Sequence, residues 1–163
     1  MKQVKYKDLT RIQKILLDKA EEVMENSYNP YSRFSVGAAI LTKDYKIIKG
    51  TNNENSAYGS TNCAEVAAIL EANNKKYRMF KSIAVIAKGR MKNGKYFDTK
   101  EPTAPCGNCR QKIFESSQIS GTNLEVIMSN TKKTKIIISS IEELLPMGFG
   151  PKDLGIDVSE YQK

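Results

Sequence analysis

Apolar positions along the chain follow two rhythms. Ile12, Ile15, Leu16, Ala20 and Val23 recur at helical spacing, with Lys14, Asp18, Lys19, Glu21 and Glu22 outside that stripe. This pattern predicts an amphipathic helix. It stops before Asn29-Pro30, because the residue ahead of a proline avoids helical backbone. Phe34 to Leu41 is short and apolar, Lys43-Asp44 supplies a turn, and Tyr45 to Gly50 returns, which predicts a β-hairpin. Residues 52–62, rich in Asn, Ser, Thr and Gly, read as a loop. Cys63 to Ala72 has the composition of a strong helix, and Ser82 to Ala87 that of a buried strand. A polar loop over residues 88–105 precedes a helix from about Gly107 to Ser117. Strands near Leu124–Ser129 and Lys135–Ser139, a helical turn over Ile141–Leu145 and a tail after Pro146 complete the chain. The order α-β-β-α-β-α-β-β predicts an α/β fold, a three-layer α/β/α sandwich around a five-stranded mixed sheet, in one domain covering residues 1–163.

Composition narrows the chemistry. The chain has 163 residues and no histidine, which removes Ser-His-Asp and Cys-His nucleophile systems and every imidazole ligand. Its net charge of +8 invites a nucleic-acid reading, but the basic residues are mostly lysines mixed with acids. The densest group, Lys132, Lys133 and Lys135, sits beside an expected turn and reads as solvated surface. Nucleic acid is therefore not the expected partner. The N-terminal residues lack the apolar core of a secretory signal, and no apolar run approaches the ~20 residues that span a bilayer. With three cysteines, an odd and small number, the chain is expected in a reducing compartment, the cytoplasm.

Those cysteines carry the sharpest signal. Cys106 and Cys109 form a Cys-x-x-Cys step at the start of one expected helix, and Cys63 starts another. A helix start favours the thiolate form, and three converging thiolates suit zinc. A Cys-x-x-Cys step alone reads equally as a thiol pair or a redox motif. If all three cysteines bind one zinc, the site is open unless an Asp or Glu closes it, because closed structural sites take four protein ligands. Glu65, two residues after Cys63, is then a carboxylate placed to move a proton beside the metal. Alone, it reads as a solvent-facing acid in a first helical turn.

Cys63-Ala64-Glu65 followed by Pro105-Cys106-Gly107-Asn108-Cys109-Arg110-Gln111 resembles the signature of the cytidine deaminases in their compact, all-cysteine form. Further segments are similar: Asn29-Pro30-Tyr31-Ser32 with Phe34 to Ala39, then Gly50 to Tyr58, then Leu144 to Leu154. The resemblance implies one zinc per chain on Cys63, Cys106 and Cys109, with Glu65 as the catalytic proton shuttle. It implies that Asn52 and Glu54 hydrogen-bond the ribose, that Phe34 packs on the pyrimidine, and that the backbone at Ala64 reads the pyrimidine edge. It also implies a homotetramer in which Ala57, Tyr58 and Phe149 reach a neighbouring subunit's site. The implied activity is hydrolysis of cytidine and deoxycytidine to uridine and deoxyuridine, a step of pyrimidine salvage.

One departure stands out. Many members continue Cys-Ala-Glu with arginine, where this chain has Val66. Three thiolates on a divalent zinc leave a net charge of about −1, which weakens the acidity of bound water. Helix N-termini and Arg110 are then expected to offset that charge. Deaminases of aminoacyl-nucleoside antibiotics such as blasticidin also lack the arginine. Together with the long loop at 88–104, this keeps a modified cytosine nucleoside open as the substrate. A non-catalytic zinc or RNA-binding module is the remaining alternative.

Overall fold

The computed structural model describes residues 1–162. The helix α1 (Arg11–Met24) precedes a hairpin of β2 (Phe34–Thr42) and β3 (Ile47–Thr51), with a short β1 (Lys2–Val4) ahead of it. Then come α2 (Ala64–Asn74), β4 (Phe80–Arg90), β5 (Tyr96–Asp98), α3 (Gly107–Ser120), β6 (Glu125–Ser129), β7 (Ile136–Ser140) and the single turn α4 (Ile141–Leu144). The sheet has seven strands, not five, in the order β1-β7-β6-β4-β2-β3, with β5 paired to β4.

Both additional strands are three residues long. Neither is long enough to display a period of two, and all of β5 is exposed, so burial left no mark on its sequence. They form because the sheet offers them open edges. β1 lies along β7, with Gln3 opposite Ile137. β5 occupies the flank of β4 beyond the end of β6: β6 pairs with Ser82–Ile86 and β5 with Lys88–Arg90. The expected polar loop at 88–105 is thus partly a second hairpin.

Alternating side chains build two cores. Ala38, Ile40, Ile83, Val85, Val126 and Met128 face α2 and α3. Ala39, Leu41, Ala84, Ile86 and Ile127 face Leu16, Leu17, Ala20 and Met24 of α1. The α1 cap is supplied by Thr10, whose hydroxyl accepts from the Gln13 amide at 3.3 Å while Gln13 returns a bond to the Thr10 amide.

Two glycines set how closely the helices approach. At Gly37 a Cβ would stand 1.9 Å from the Ala20 carbonyl oxygen of α1. At Gly50 it would stand 2.2 Å from the Ala68 nitrogen and 2.5 Å from the Ala64 oxygen of α2. Ala64, Ala68 and Ala72 are wholly buried along the same helix face, so α2 lies directly on the backbone of β3. Gly50→Ala is expected to destabilise the fold by about 3 kcal/mol, as overpacking against unyielding backbone. A urea midpoint equal to that of the parent would contradict this close contact.

The topology also places the site. β2 runs antiparallel to both β3 and β4, so β3 and β4 run in the same direction. The segments leaving β3 and β4 therefore emerge at the same end of the sheet and lead to the N-termini of α2 and α3. That end, beyond the carboxyl ends of neighbouring strands, is where open α/β sheets make their binding crevices.

The basic cluster is neutralised within the chain. Lys132 pairs with Asp98 at 3.0 Å, Lys133 with Asp18 and Glu21 at 2.6 Å each, and Lys135 with Glu101. Among the described residues, no helix is long and apolar enough to cross a membrane.

Candidate metal centre and active site

Cys63 is the N-cap of α2 and Cys106 the N-cap of α3, while Cys109 lies in the first turn of α3. Neither N-cap thiol hydrogen-bonds to its own helix, which leaves both free to point outward. The three sulfurs lie within 4.8 Å of one another, with Cys63 Sγ and Cys106 Sγ 4.0 Å apart. Thiolates on one tetrahedral zinc, with bonds of about 2.3 Å, stand roughly 3.8 Å apart. The donor set and its spacing therefore fit zinc with small adjustments. No disulfide joins any of the three. Burial is graded: Cys109 is enclosed, Cys63 half-buried and Cys106 exposed.

The sulfurs share charge unequally. A hydrogen bond from Cys109 holds the Cys63 thiol down to about 7. The same bond, with burial, pushes Cys109 up. Three thiolates this close repel one another, and a divalent cation between them removes that repulsion while the two helix N-termini favour the anions.

Glu65 lies in the first turn of α2 and is only 4% exposed. Burial raises its carboxyl above the usual range, partly opposed by hydrogen bonding at its own backbone and at Cys109. The three cysteines and Glu65 line one cavity of about 260 Å³, together with Phe34, Asn52, Glu54 and Ala64. Seven residues singled out from the sequence as metal, proton-transfer or substrate groups therefore converge there, along with Ala64.

Two of them have local partners that the sequence did not reveal. Asn52 bridges to the first residues of β2. Its Oδ1 accepts from the Val36 amide and its Nδ2 donates to the Phe34 carbonyl, both at 2.9 Å. This clamp replaces ladder bonds where the hairpin ends, and one amide hydrogen remains for a ligand. Glu54 Oε2 accepts from the Tyr31 and Ser32 amides at 3.0 and 3.1 Å. Burial opposes its charge, but those bonds and the Ser32 hydroxyl hold its carboxyl below the usual range. Glu54 is thus an anion fixed in place at neutral pH.

Ala57, Tyr58 and Phe149 do not line this cavity. Ala57 is exposed, and the Tyr58 ring, 68% exposed, tilts against Tyr31 with centroids 5.8 Å apart. Phe149 is 59% exposed, and its carbonyl accepts from Gln111 of α3 at 2.7 Å. Other residues that sequence reasoning passed over do line the cavity: Ser32, Val36, Thr61, Thr103 and Ala104. Thr103 is drawn in because its amide donates to the Ser129 carbonyl at the end of β6. Its proximity to Pro105-Cys106 was the one available signal.

Comparison with known proteins agrees with this geometry. Residues 10–123 match the family model described as the cytidine and deoxycytidylate deaminase zinc-binding region. A cytidine deaminase from Halalkalibacterium halodurans is 39% identical over 140 residues, covering 86% of this chain and 96% of that protein. One from Sporosarcina psychrophila is 40% identical over 139 residues, covering 85% of this chain and 92% of that protein. The chain belongs to the cytidine deaminase family. A crystal structure of cytidine deaminase from Burkholderia pseudomallei superposes with a TM-score of 0.72 at 38% identity, covering 86% of this chain and all of that one.

Within this deaminase fold, the expected charge compensation by Arg110 does not occur. Its guanidinium donates to the Pro105 carbonyl at 2.9 Å and the Leu144 carbonyl at 3.2 Å, and makes no bond to a sulfur. The arginine instead ties the Cys106 turn to α4. Val66 is half-buried and lines an apolar groove with Ile69, Tyr77 and Ile119 rather than the metal centre. Helix N-termini are left as the balancing positive charge at the sulfurs.

Proposed function

We propose that this deaminase family member hydrolyses free cytidine and deoxycytidine to uridine and deoxyuridine, releasing ammonia, with one zinc per chain. The observation that carries this reading is the buried Glu65 beside three clustered sulfurs, in a cavity whose other wall holds an aromatic ring, an amide and a fixed carboxylate. Glu54 and the free hydrogen of Asn52 bracket the ribose hydroxyls. Phe34 covers a face of the pyrimidine. The Ala64 backbone at the start of α2 reads the base edge. Zinc held by Cys63, Cys106 and Cys109 would make a water acidic enough to act as the nucleophile. Glu65 takes a proton from the attacking water and gives it to N3 as the water oxygen bonds to C4. A second proton passes through Glu65 to the exocyclic nitrogen, the C4–N bond breaks, and ammonia departs. The enclosed position of Glu65 keeps bulk solvent from supplying either proton.

In the assembled enzyme, a homotetramer, the exposed Phe149 and the Ala57-Tyr58 turn reach the cavity of a neighbouring subunit. The free thiols suit a cytoplasmic location in pyrimidine salvage.

An absorbance assay across cytidine, deoxycytidine, cytosine, CMP and blasticidin S tests the reading. Turnover is expected for both free nucleosides and is expected to stop with a chelator. Turnover of blasticidin S alone would instead favour the aminoacyl-nucleoside substrate that Val66 leaves open. Zinc-loaded protein that releases no ammonia from any of the five would overturn the enzymatic reading.

A further inference from the structure

Side chains alternate along β2, so Ser35 faces away from the cavity lined by its neighbours Phe34 and Val36. It opens instead into a second cavity of about 280 Å³ between the end of α1, the 27–30 segment and the β4–β5 hairpin. This volume lies near the lower bound, about 300 Å³, of small-molecule sites. Its floor is polar and already ordered. Asn29 Nδ2 donates to Ser27 Oγ at 3.1 Å and to Ser35 Oγ at 2.8 Å, and the two hydroxyls are 2.8 Å apart. Asn29 and Ser35 are both buried, and Asn29 Oδ1 has no partner among the described residues.

The walls combine aromatic surface with positive charge. Tyr28 and Tyr96 line the cavity and are 58% and 57% exposed. Lys88 Nζ sits 4.2 Å from the centroid of the Tyr96 ring and pairs with Glu25, which neutralises the one carboxylate at the rim. Arg90 also lines the cavity, and among the described residues its guanidinium pairs with no carboxylate. Lys92 and Lys95 follow in the same hairpin without an acidic residue between them. An aromatic pair, a free planar fork of donors and a polar floor is the chemistry that holds a flat ring carrying a phosphate.

We propose that this cavity is a second binding site, for a nucleoside monophosphate. Arg90 takes the phosphate oxygens, the Tyr28 and Tyr96 rings flank the base, and Asn29 Oδ1 accepts from a ligand hydroxyl or amino group. Only a thin segment separates it from the catalytic cavity. Arg33 donates its amide to Asn29 O at 3.0 Å and accepts from the Arg90 amide at 2.8 Å, while its neighbours Ser32 and Phe34 line the catalytic side. Its backbone is left-handed at φ 57°, a conformation an arginine adopts only when its surroundings impose it.

Titration calorimetry of the zinc-loaded protein with adenosine 5′-monophosphate tests the site, since its purine is no cytosine. One molecule per chain is expected to bind with Kd below about 1 mM, with adenosine and inorganic phosphate each at least roughly tenfold weaker. Arg90→Ala and Tyr96→Ala are each expected to weaken binding about tenfold, and Tyr96→Phe to retain it. All three variants alter exposed side chains, and cytidine turnover is expected to stay within about twofold of the parent. No binding at about 5 mM, binding that survives Arg90→Ala, or phosphate alone binding as well as the nucleotide would each overturn the proposal.

Discussion

Glu65→Gln is expected to lower cytidine turnover by about 10⁴-fold while leaving zinc content and fold intact. The amide keeps the shape of the carboxylate but can neither take a proton from water nor deliver one to N3 and the leaving nitrogen. General acid–base groups contribute about 10²–10⁴-fold, and in the proposed mechanism one side chain serves successive transfers. The same substitution has an opposite effect on stability. Burial raises the Glu65 carboxyl above its unfolded value, so the folded chain binds the proton more tightly. Stability from this group is present below the unfolded carboxyl range and is lost as pH rises through the raised value. Above the unfolded carboxyl range the parent therefore carries the cost of burying this group, and metal-free Glu65→Gln is expected to melt at or above the parent's temperature. Ammonia release that stays within tenfold of the parent would sink the shuttle role. A lower melting temperature would show that Glu65 holds the fold together.

Loss of a sulfur has the second largest expected effect. Cys106→Ser and Cys109→Ser are each expected to reduce bound zinc at least roughly tenfold, measured by metal analysis, and to abolish turnover. The two differ in what else they disturb. Cys106 is exposed, so its replacement removes a ligand and no core contact; Cys109 is fully enclosed in α3. Metal loss is thus expected for both variants, while a fall in the stability of the metal-free chain is expected for Cys109→Ser alone. Full zinc content in Cys106→Ser would refute a three-sulfur site.

The parts legible in the sequence were those where one physical demand dominates. Leu16 and Ala20 at helical spacing, and the short apolar runs Phe34–Leu41 and Ser82–Ala87, announced burial. Three cysteines in a chain without histidine left few chemistries open. What escaped were features whose residue types serve several ends. Gln3 and Tyr96 lie in strands only because open sheet edges are beside them. Asn52 in a polar loop reads the same whether it binds a sugar or staples the start of β2, and it does hold Phe34 and Val36 in place. Arg110 next to Cys109 promised charge compensation, yet backbone carbonyls from two other segments captured it. Phe149 and Tyr58 are large and exposed, and neither reaches the cavity of its own chain.

The sulfurs come from distant parts of the chain: Cys63 and Cys106 are 43 positions apart and belong to different helices. Between them the polypeptide completes α2 and β4 and makes the β5 excursion before α3 begins. A cation gripped by both helices would therefore clasp a long loop already held by the packing of α2 on β3 and the pairing of β4 with β2 and β6. The three sulfurs meet only when both helix N-termini are seated on the sheet, so a bound ion would fasten the finished fold as well as serve the chemistry.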